Sequence, residues 1–470
     1  MSLGWECEMD AVLLSRLQFA FTIGYHILWP AFSIGIAWFI VTLNALWLRT
    51  GKPTYHQLAT FWTKVFALAF GMGVVTGVVI SYEIGLNWSR YARVTADVVS
   101  PLLTLEVLTA FFLEAGFIGI MLFGEERVGK RLHFAASLIV ATGTVISAFW
   151  IIAANSWMQT PVDFTMSGDG RFVATDFWGV VFNPSMPYRL AHMLLASFIT
   201  GIFAVAGVSA FWLLRGRAKE QAPARVAFSL CLWMATILVP VQIFVGDQHG
   251  LNTRKFQPMK LAAIEGRWET AKAVPLTAIA WPDEKAERND YAIEIPWLGS
   301  IILTHSLNGE VKGLKEVPAS ERPPVIPVFF AFRIMVGCGM ALLGLALLSL
   351  YLRWRRKLFD TSWYLYLCLA GTPLGFIATL AGWTVTEVGR QPYVVYGQLR
   401  TADAVSPIAG GAVFGSLAIA LFLYNLLLLG FFYYGGRLVW RGFETETPTV
   451  PVGRPLGAVY AAIAAREAVK

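Results

Sequence analysis

The chain has 470 residues, of which 56% are hydrophobic and only 14% are charged, and its mean hydropathy is +0.59. A soluble core does not need this much apolar surface, so the composition excludes an ordinary soluble domain. The formal net charge of +7 does not indicate nucleic-acid binding. Lys and Arg cluster in short segments between apolar runs, which is the pattern of the positive-inside rule.

Nine apolar runs along the chain are each long enough to cross a bilayer as a helix. A helix satisfies its own backbone hydrogen bonds in lipid, so the predicted fold class is all-α, a polytopic membrane bundle of about nine transmembrane helices. The basic segments place the N-terminus outside and the C-terminus in the cytoplasm. The predicted spans are 15–48, 60–84, 101–124, 132–157, 188–214, 225–246, 328–352, 362–384 and 408–436.

A long polar segment, residues 247–327, separates the sixth span from the seventh. Loops of this length are usually functional or disordered. The chain therefore divides into residues 1–246 with six spans, an extracytoplasmic loop at 247–327, residues 328–445 with three spans, and a cytoplasmic tail at 446–470. None of the four cysteines belongs to a CxxCH motif, so covalently attached c-type haem is not expected.

Four residues that can bind haem iron lie in or at the ends of spans: His26, His192, Met335 and Glu387. Polar ligands are costly in lipid, and their similar predicted depth indicates a row of iron centres near one membrane face. His192 and Met335, on facing helices, could clamp one six-coordinate, electron-transferring haem. The competing interpretations are a helix–helix hydrogen bond for a lone histidine, core filling for Met335, and a surface acid for Glu387.

Three further residues flank these candidates. Arg333 precedes Met335 by two positions and could pair with a haem propionate or snorkel to the interface. Trp383 lies one turn before Glu387, where an indole could pack between cofactors or belong to a lipid belt. Arg390 follows Glu387 in a GRQP turn and offers a cation to an anionic group.

Two acids of the third span, Glu106 and Glu114, are eight residues apart, or about 12 Å along a helix. Their directions should differ by about 80°, so they could flank one cavity as a proton relay. A structural ion pair with an arginine is the alternative, and Glu83 is assigned to the same polar interior. His56, His133 and His305 are expected in surface loops.

In the long loop, Lys260 and Glu265 flank the apolar stretch LAAI. A quinol needs a flat apolar slot with groups that bond its oxygens and accept protons, and this stretch provides both. His249 lies close by and could assist. A solvated amphipathic helix is the alternative interpretation.

Seven stretches, in order from residue 14 to residue 392, resemble those of subunit I of cytochrome bd-type quinol oxidases. The resemblance implies a nine-helix subunit of the bacterial cytoplasmic membrane that oxidises quinol at the outer face and reduces O2 to water. Such an enzyme is electrogenic without pumping protons. The stretches are LSRLQFAFTIGYH, LEVLTAFFLEAGF, ANSWMQTP, AHMLLAS, FQPMKLAAIE, FRIMVG and GWTVTEVGRQP.

Carried over by position, the resemblance implies that His192 and Met335 ligate a low-spin haem b. It implies that His26 and Glu387 each ligate one of two further haems, a high-spin haem b and a haem d, in an order that stays open. Trp383 would lie between haems. The other implied roles are Arg333 and Arg390 near propionates or ligands, Glu106 and Glu114 in proton delivery, and Lys260 and Glu265 in quinol binding within the so-called Q-loop.

The resemblance also implies a second homologous membrane subunit and often a small single-span subunit. Two departures stand out. Tyr393 replaces the tryptophan that usually follows GRQP, and the loop is short, a form in which haem b can replace haem d. The sequence does not determine whether the substrate is ubiquinol or menaquinol. The rival classes are a proton-coupled transporter, against which stands the lack of paired broken spans, and a haem-binding electron carrier without oxygen chemistry.

Overall fold

The structure, a computed structural model, describes residues 10–443; Cys7 and the predicted tail at 446–470 lie outside these residues. Within them, nine helical spans are long and apolar enough to cross a membrane, which confirms the predicted nine-helix, all-α fold class. The spans are Ala11–Thr50, Pro53–Asn87, Ala96–Phe123, Glu125–Gln159, Met186–Arg215, Ala218–Phe256, Val325–Trp354, Ser362–Val388 and Gly410–Arg441.

The helices are numbered in chain order and include short ones between the spans. They are α1 Ala11–Thr50, α2 Pro53–Asn87, α3 Ser89–Val94, α4 Ala96–Glu106, α5 Phe112–Phe123, α6 Glu125–Gln159, α7 Phe177–Val181, α8 Met186–Arg215, α9 Ala218–Phe256, α10 Pro258–Glu265, α11 Leu298–Thr304, α12 Val325–Trp354, α13 Ser362–Ala370, α14 Leu374–Val388, α15 Thr401–Ala404 and α16 Gly410–Arg441.

The strands form four small antiparallel pairs: β1–β2, β3–β6, β4–β5 and β7–β8. They lie in the segments that connect the spans. Their bounds are β1 Phe164–Met166, β2 Phe172–Ala174, β3 Ala271–Lys272, β4 Leu276–Asp283, β5 Arg288–Ile295, β6 Glu310–Val311, β7 Tyr393–Val395 and β8 Leu399–Arg400.

Helix α9 continues to Phe256, ten residues beyond the predicted end of the sixth span. It ends there because Pro258 disfavours helical geometry at the residue before it, and Gln257 has φ −137° and ψ 61°. Pro258 then starts α10, where a missing N–H costs nothing. The long loop therefore comprises residues 257–324, shorter than predicted, and it is folded into α10, α11 and two strand pairs.

Three of the described spans contain breaks in their helical geometry, and the break in the fourth span is at Gly129, which has φ 76° and ψ 165°. The third span joins α4 to α5 through a π-helical turn, Val107–Phe111. The eighth span is interrupted between α13 and α14 at residues 371–373, where Pro373 cannot donate a backbone hydrogen bond. The π-helical turn of the third span determines how the predicted proton-relay acids are oriented.

Helix α1 lies at the centre of the bundle and packs on α2, α6, α8, α14 and α16. It approaches α8 most closely at Gly35 and Gly201. A Cβ atom added to Gly35 would lie 2.8 Å from the Gly201 Cα and would also overlap the Ser197 carbonyl oxygen. Small residues permit such backbone contact between membrane helices.

One histidine prediction is wrong. His133 does not lie in a surface loop but is buried in α6, where its Nε2 lies 3.0 Å from the Met121 carbonyl oxygen. A buried imidazole needs such a partner, and this bond ties α6 to α5.

We expect Gly35→Ala to lower the thermal midpoint of the complex and the yield of folded protein, because the added methyl group forces α1 and α8 apart. Gly71→Ala is the matched control, since a Cβ atom there meets nothing within 4 Å. Thermal unfolding of both variants checks the prediction, and equal midpoints would contradict the close approach.

Candidate functional site

A buried polar network joins α6, α8 and α14 at the end of the bundle that carries the long loop. Arg189 of α8 is buried and donates from Nε to Ser156 Oγ at 3.0 Å and from Nη2 to Asn155 Oδ1. The Asn155 amide donates to Glu387 Oε1 at 3.0 Å. Glu387 Oε2 accepts from Arg390 Nη2. One asparagine therefore connects a buried arginine to the carboxylate predicted as an iron ligand.

The network continues into the long loop through Gln159. Its Nε2 donates to Glu387 Oε1 at 3.4 Å, and its Oε1 accepts from Lys260 Nζ at 2.5 Å and from Gln257 Nε2 at 3.0 Å. Lys260 is buried and packs against Gly389, just beyond α14. The first turn of α10 and the Glu387 end of α14 are thus held together by a single glutamine.

His26 has the hydrogen-bond pattern of a metal-binding histidine. Its Nδ1 lies 2.8 Å from Thr76 Oγ1, whose own proton is directed to the Met72 carbonyl oxygen, also at 2.8 Å. In the tautomer in which this hydroxyl accepts from Nδ1–H, the Nε2 lone pair is available for a metal. Gly77 provides space for the ring, since a Cβ atom there would lie 3.2 Å from His26 Cε1.

His192 and Met335 each lie against a glycine of a neighbouring helix. A Cβ atom on Gly246 would be 3.2 Å from His192 Cε1, and one on Gly382 would be 3.0 Å from Met335 Sδ. The buried His192 Nδ1 has no hydrogen-bond partner. Helices α8 and α12 both pack on α9 and α14. His192 of α8 and Met335 of α12 need such an arrangement if they are to bind one group from two sides.

The four predicted ligands do not share one depth. Gly24, two residues before His26 in α1, lies near Leu380 of α14, since a Cβ atom added there would be 3.9 Å from Leu380 Cδ2. Leu380 is seven residues, or about 10 Å, from Glu387. His192 lies one turn beyond Arg189, which is at the level of Glu387. The ligands are therefore staggered, because α1 begins at Ala11 and places His26 further along its helix than the other spans place theirs.

The two predicted propionate partners differ in what their guanidinium groups contact. Arg390 is buried, and its Nε and Nη1 have no hydrogen-bond partner among residues 10–443, so two donor nitrogens are available to an anionic group. Arg333 is fully engaged with backbone carbonyls: those of Ala278 at 3.0 Å, Ile264 at 2.8 Å, Phe329 at 3.0 Å, and Thr277. Arg333 holds the long loop on α12. Trp383 is partly buried beside Gly382.

Glu106 and Glu114 face the same stripe of α6, in contrast to the predicted 80° separation. Glu106 Oε1 accepts from Ser147 Oγ at 2.7 Å, and Glu114 lies against Gly143, one turn away on α6. The π-helical turn Val107–Phe111 between the acids winds in one extra residue, which reduces the angle to about 20°. Glu83, in contrast, bonds Thr22 of α1 at 2.6 Å.

Lys260 and Glu265 are both buried in α10, which excludes a solvated amphipathic helix. Burial lowers the pKa of Lys260 well below its usual value, and the nearby Arg189 and Arg390 cations lower it further. Burial raises the pKa of Glu265. Both groups are thus shifted towards their neutral forms, which suits proton exchange with a neutral ligand.

Tyr393, which replaces the usual tryptophan, forms a hydrogen bond through the hydroxyl group that tryptophan lacks. The hydroxyl donates to Glu321 Oε2, and Arg400 binds the other oxygen of the same carboxylate. Glu321 belongs to the end of the long loop, shortly before α12. The substitution therefore links the loop to the segment that follows Glu387.

Sequence reasoning missed Arg189, Asn155 and Gln159. A signal was present, since Asn155 and Gln159 are polar residues one turn apart in an apolar span and Arg189 lies one turn before His192. Polar residues within spans are expensive, and this criterion applied to amides and arginines would have found them.

A family model matches the sequence of this chain. The model of cytochrome bd terminal oxidase subunit I covers residues 14–443. The chain belongs to this family. As a subunit of a haem-containing terminal oxidase, it works in a complex with a second subunit and spans the membrane several times.

Relatives and a solved structure agree over nearly the full chain. Cytochrome bd ubiquinol oxidase subunit 1 of Bacillus subtilis (strain 168) is 37% identical, covering 93% of this chain and 95% of that protein. Cytochrome bd-II ubiquinol oxidase subunit 1 of Escherichia coli (strain K12) is 33% identical, with 94% and 100% covered. The bd oxidase structure from Geobacillus thermodenitrificans has a TM-score of 0.86 at 33% identity, with 93% and 99% covered.

We expect Lys260 to make the free energy of unfolding of the oxidase subunit depend on pH. Between its lowered folded pKa and its unfolded pKa of about 10.4, only the unfolded chain binds the proton. Wild-type stability should therefore rise with pH in this window, by up to about 1.4 kcal/mol per unit. Lys260→Met should lack this rise.

Thermal midpoints at pH 7 and pH 9 check the difference in slope between the wild type and Lys260→Met. Lys255→Met, at a surface-exposed lysine of α9, is the control and should keep the wild-type slope. An unchanged slope in Lys260→Met would show that the amine is solvated.

Proposed function

We propose that this subunit takes electrons from membrane quinol and uses them, with cytoplasmic protons, to reduce O2 to water in a bacterial cytoplasmic membrane. Family membership supports the terminal oxidase activity, and the named relatives are ubiquinol oxidases. The observation on this chain that carries the proposal is the buried connection from Lys260 through Gln159 to Glu387. It joins a proton-exchanging loop helix to a candidate iron ligand.

Three haems are proposed: a low-spin haem b between His192 and Met335, and a high-spin haem b and a haem d, or a further haem b, on His26 and Glu387. The ligand atoms fit this role. The Nδ1–H tautomer of His26 leaves Nε2 able to bind iron, the buried His192 Nδ1 lacks a partner among residues 10–443, and glycines make room beside three of the four ligands. When bound, haem iron supplies electron transfer and O2 reduction.

The surrounding residues orient these ligands. Thr76 fixes the tautomer and ring direction of His26, while Asn155 and Arg390 fix the two carboxylate oxygens of Glu387. The free donors of Arg390 suit a propionate. Trp383, one turn before Glu387, is proposed to pack between haems. For Arg333 we propose that it positions the loop, because all its nitrogens already bond carbonyl oxygens.

The quinol headgroup is proposed to bind at α10, between Lys260 and Glu265. A neutral Lys260 amine can accept a proton from a quinol hydroxyl, which the lowered pKa of this group favours. Gln159 holds the Lys260 amine and so sets its direction. His249, whose ring lies 5.5 Å from that of His192, lines the region between the two sites.

Protons for water formation are proposed to come from the cytoplasm by way of Ser147, Glu106 and Glu114. The π-helical turn supports this route because it directs both carboxylates towards α6. Quinol protons leave on the opposite side, so charge is separated without a proton pump. The second homologous subunit, and a small single-span one, are proposed to cover the least buried spans, Ala96–Phe123 and Gly410–Arg441.

Quinol-driven O2 uptake by the purified complex tests the function directly. We expect Glu265→Gln to lower the rate at least about tenfold, because general acid–base groups contribute 10²–10⁴-fold, with unchanged haem content. Glu269→Gln, a surface-exposed acid of the same loop paired with Lys315, is the control. No O2 uptake by the haem-loaded wild type, or equal rates in both variants, would contradict the proposal.

We expect Thr76→Val to weaken haem retention at the His26 site about tenfold, the lower end of the effect of removing a partner of a metal ligand. Thr63→Val in the same helix is the control, since among the described residues the Thr63 hydroxyl bonds only the Ala59 carbonyl oxygen, one turn earlier in α2. Haem content after stepwise detergent washing is the measurement. Equal retention in both variants would mean that Thr76 does not orient a ligand.

A further inference from the structure

The β4–β5 hairpin of the long loop has one apolar face that residues 10–443 leave largely exposed. Ile279 and Ile293 are cross-strand partners and are 61% and 60% exposed, and Ile295 and Trp281 extend this face. The other face of β4 is buried through Thr277, Ala280 and Pro282. We call the exposed set, Ile279, Trp281, Ile293 and Ile295, the hairpin apolar face. Isoleucines in a surface strand that faced water would invite edge-to-edge aggregation.

Strand β4 runs down the side of α12 from its first turn. Glu284, at the hairpin tip, accepts from the backbone N–H groups of Val325 and Ile326 at the start of α12, at 2.8 and 3.1 Å. The Trp281 ring lies 5.5 Å from that of Phe330. Arg333 then bonds the carbonyls of Thr277 and Ala278.

These contacts place the hairpin at the depth of the membrane boundary. Helix α12 has 30 residues, or about 45 Å, and the hydrocarbon core is about 30 Å thick. A centred helix therefore extends about 7 Å beyond the core at each end. Phe330 lies about 7 Å from Val325 along the helix and Arg333 about 12 Å, so the hairpin reaches the edge of the hydrocarbon.

We propose that the hairpin apolar face rests in the lipid headgroup and upper acyl region beside α12. The occupant is bilayer lipid because the face is continuous with the exposed apolar side of a membrane-spanning helix, where Ile334 is 50% exposed. Charge follows the same division, since the tip sequence DEKAER, residues 283–288, lies at the outermost turn. Tryptophan and isoleucine on one side of an otherwise polar element are typical of interfacial anchors.

This placement matters for a substrate that is dissolved in lipid. The same arginine that fixes β4 also bonds the Ile264 carbonyl of α10, next to Glu265. A hairpin anchored in lipid would thus hold α10 at a fixed height above the bilayer. The inference does not depend on which quinol binds, or on whether one binds.

Thiol accessibility in nanodisc-embedded complex tests the placement with a matched pair of variants. Ile293→Cys puts a thiol on the hairpin apolar face, and Glu294→Cys puts one on the opposite face of the same strand. A charged reagent is excluded from the acyl region of the bilayer by the cost of desolvating its charge, whereas an uncharged reagent partitions into it. We expect position 293 to react at least tenfold more slowly than position 294 with a charged, membrane-impermeant maleimide. With an uncharged maleimide, the difference in rate between the two positions should be much smaller.

The wild type gives the background rate, which includes any reaction of Cys7; the other cysteines, Cys231, Cys338 and Cys368, are buried. An unchanged haem spectrum shows that each variant is folded. Equal rates with the charged reagent would place the face in water and overturn the proposal. A position 293 that resists both reagents, with β4 and β5 also unlabelled by a lipid-phase carbene reagent, would show protein cover instead and would also overturn it. If Ile293→Cys does not fold, Ile295→Cys replaces it.

A lipid-phase carbene reagent offers a measurement on the unaltered complex. Peptide mapping should find label in β4 and β5 and none at the 284–287 tip. Label confined to the spanning helices would count against the lipid contact.

Discussion

Charged side chains buried at the end of a membrane bundle must be compensated, and this requirement organises the site. Glu387 and the arginines at positions 189 and 390 are held in one hydrogen-bonded set through Asn155. Removing one partner of a buried charge leaves the other uncompensated, at a cost of about 3–5 kcal/mol. The ends of α6, α8 and α14 are therefore fixed relative to one another by charge as well as by packing.

The same set couples the membrane bundle to the long loop. Gln159 accepts from Lys260 and donates to Glu387, so a displacement of α10 would change the hydrogen bonding of the Glu387 carboxylate. Two further contacts hold the loop from its other side: Arg333 binds its carbonyls, and Tyr393 binds Glu321. A donor substrate bound at α10 would thus contact a surface that is continuous with the Glu387 end of the bundle, where we propose that haem binds.

Hydropathy predicted the nine spans because each must bury its backbone in lipid, and polar residues inside those spans predicted most of the candidate site. The rest depended on tertiary structure. The π-helical turn that brings Glu106 and Glu114 onto one face has no signal in the apolar run around it. The carbonyls that occupy Arg333 come from a loop whose path the sequence did not reveal. The end of α9 was predictable, since Pro258 marks it.

The central claim is that the staggered residues His26, His192, Met335 and Glu387 hold iron in haem. The most direct measurement is a dithionite-reduced minus air-oxidised spectrum of the purified complex, with haem quantified per chain, for the wild type and Met335→Leu. The account predicts three haems per chain and selective loss of the low-spin b signal in the variant. A folded complex without haem, or an unchanged low-spin signal in Met335→Leu, would contradict it.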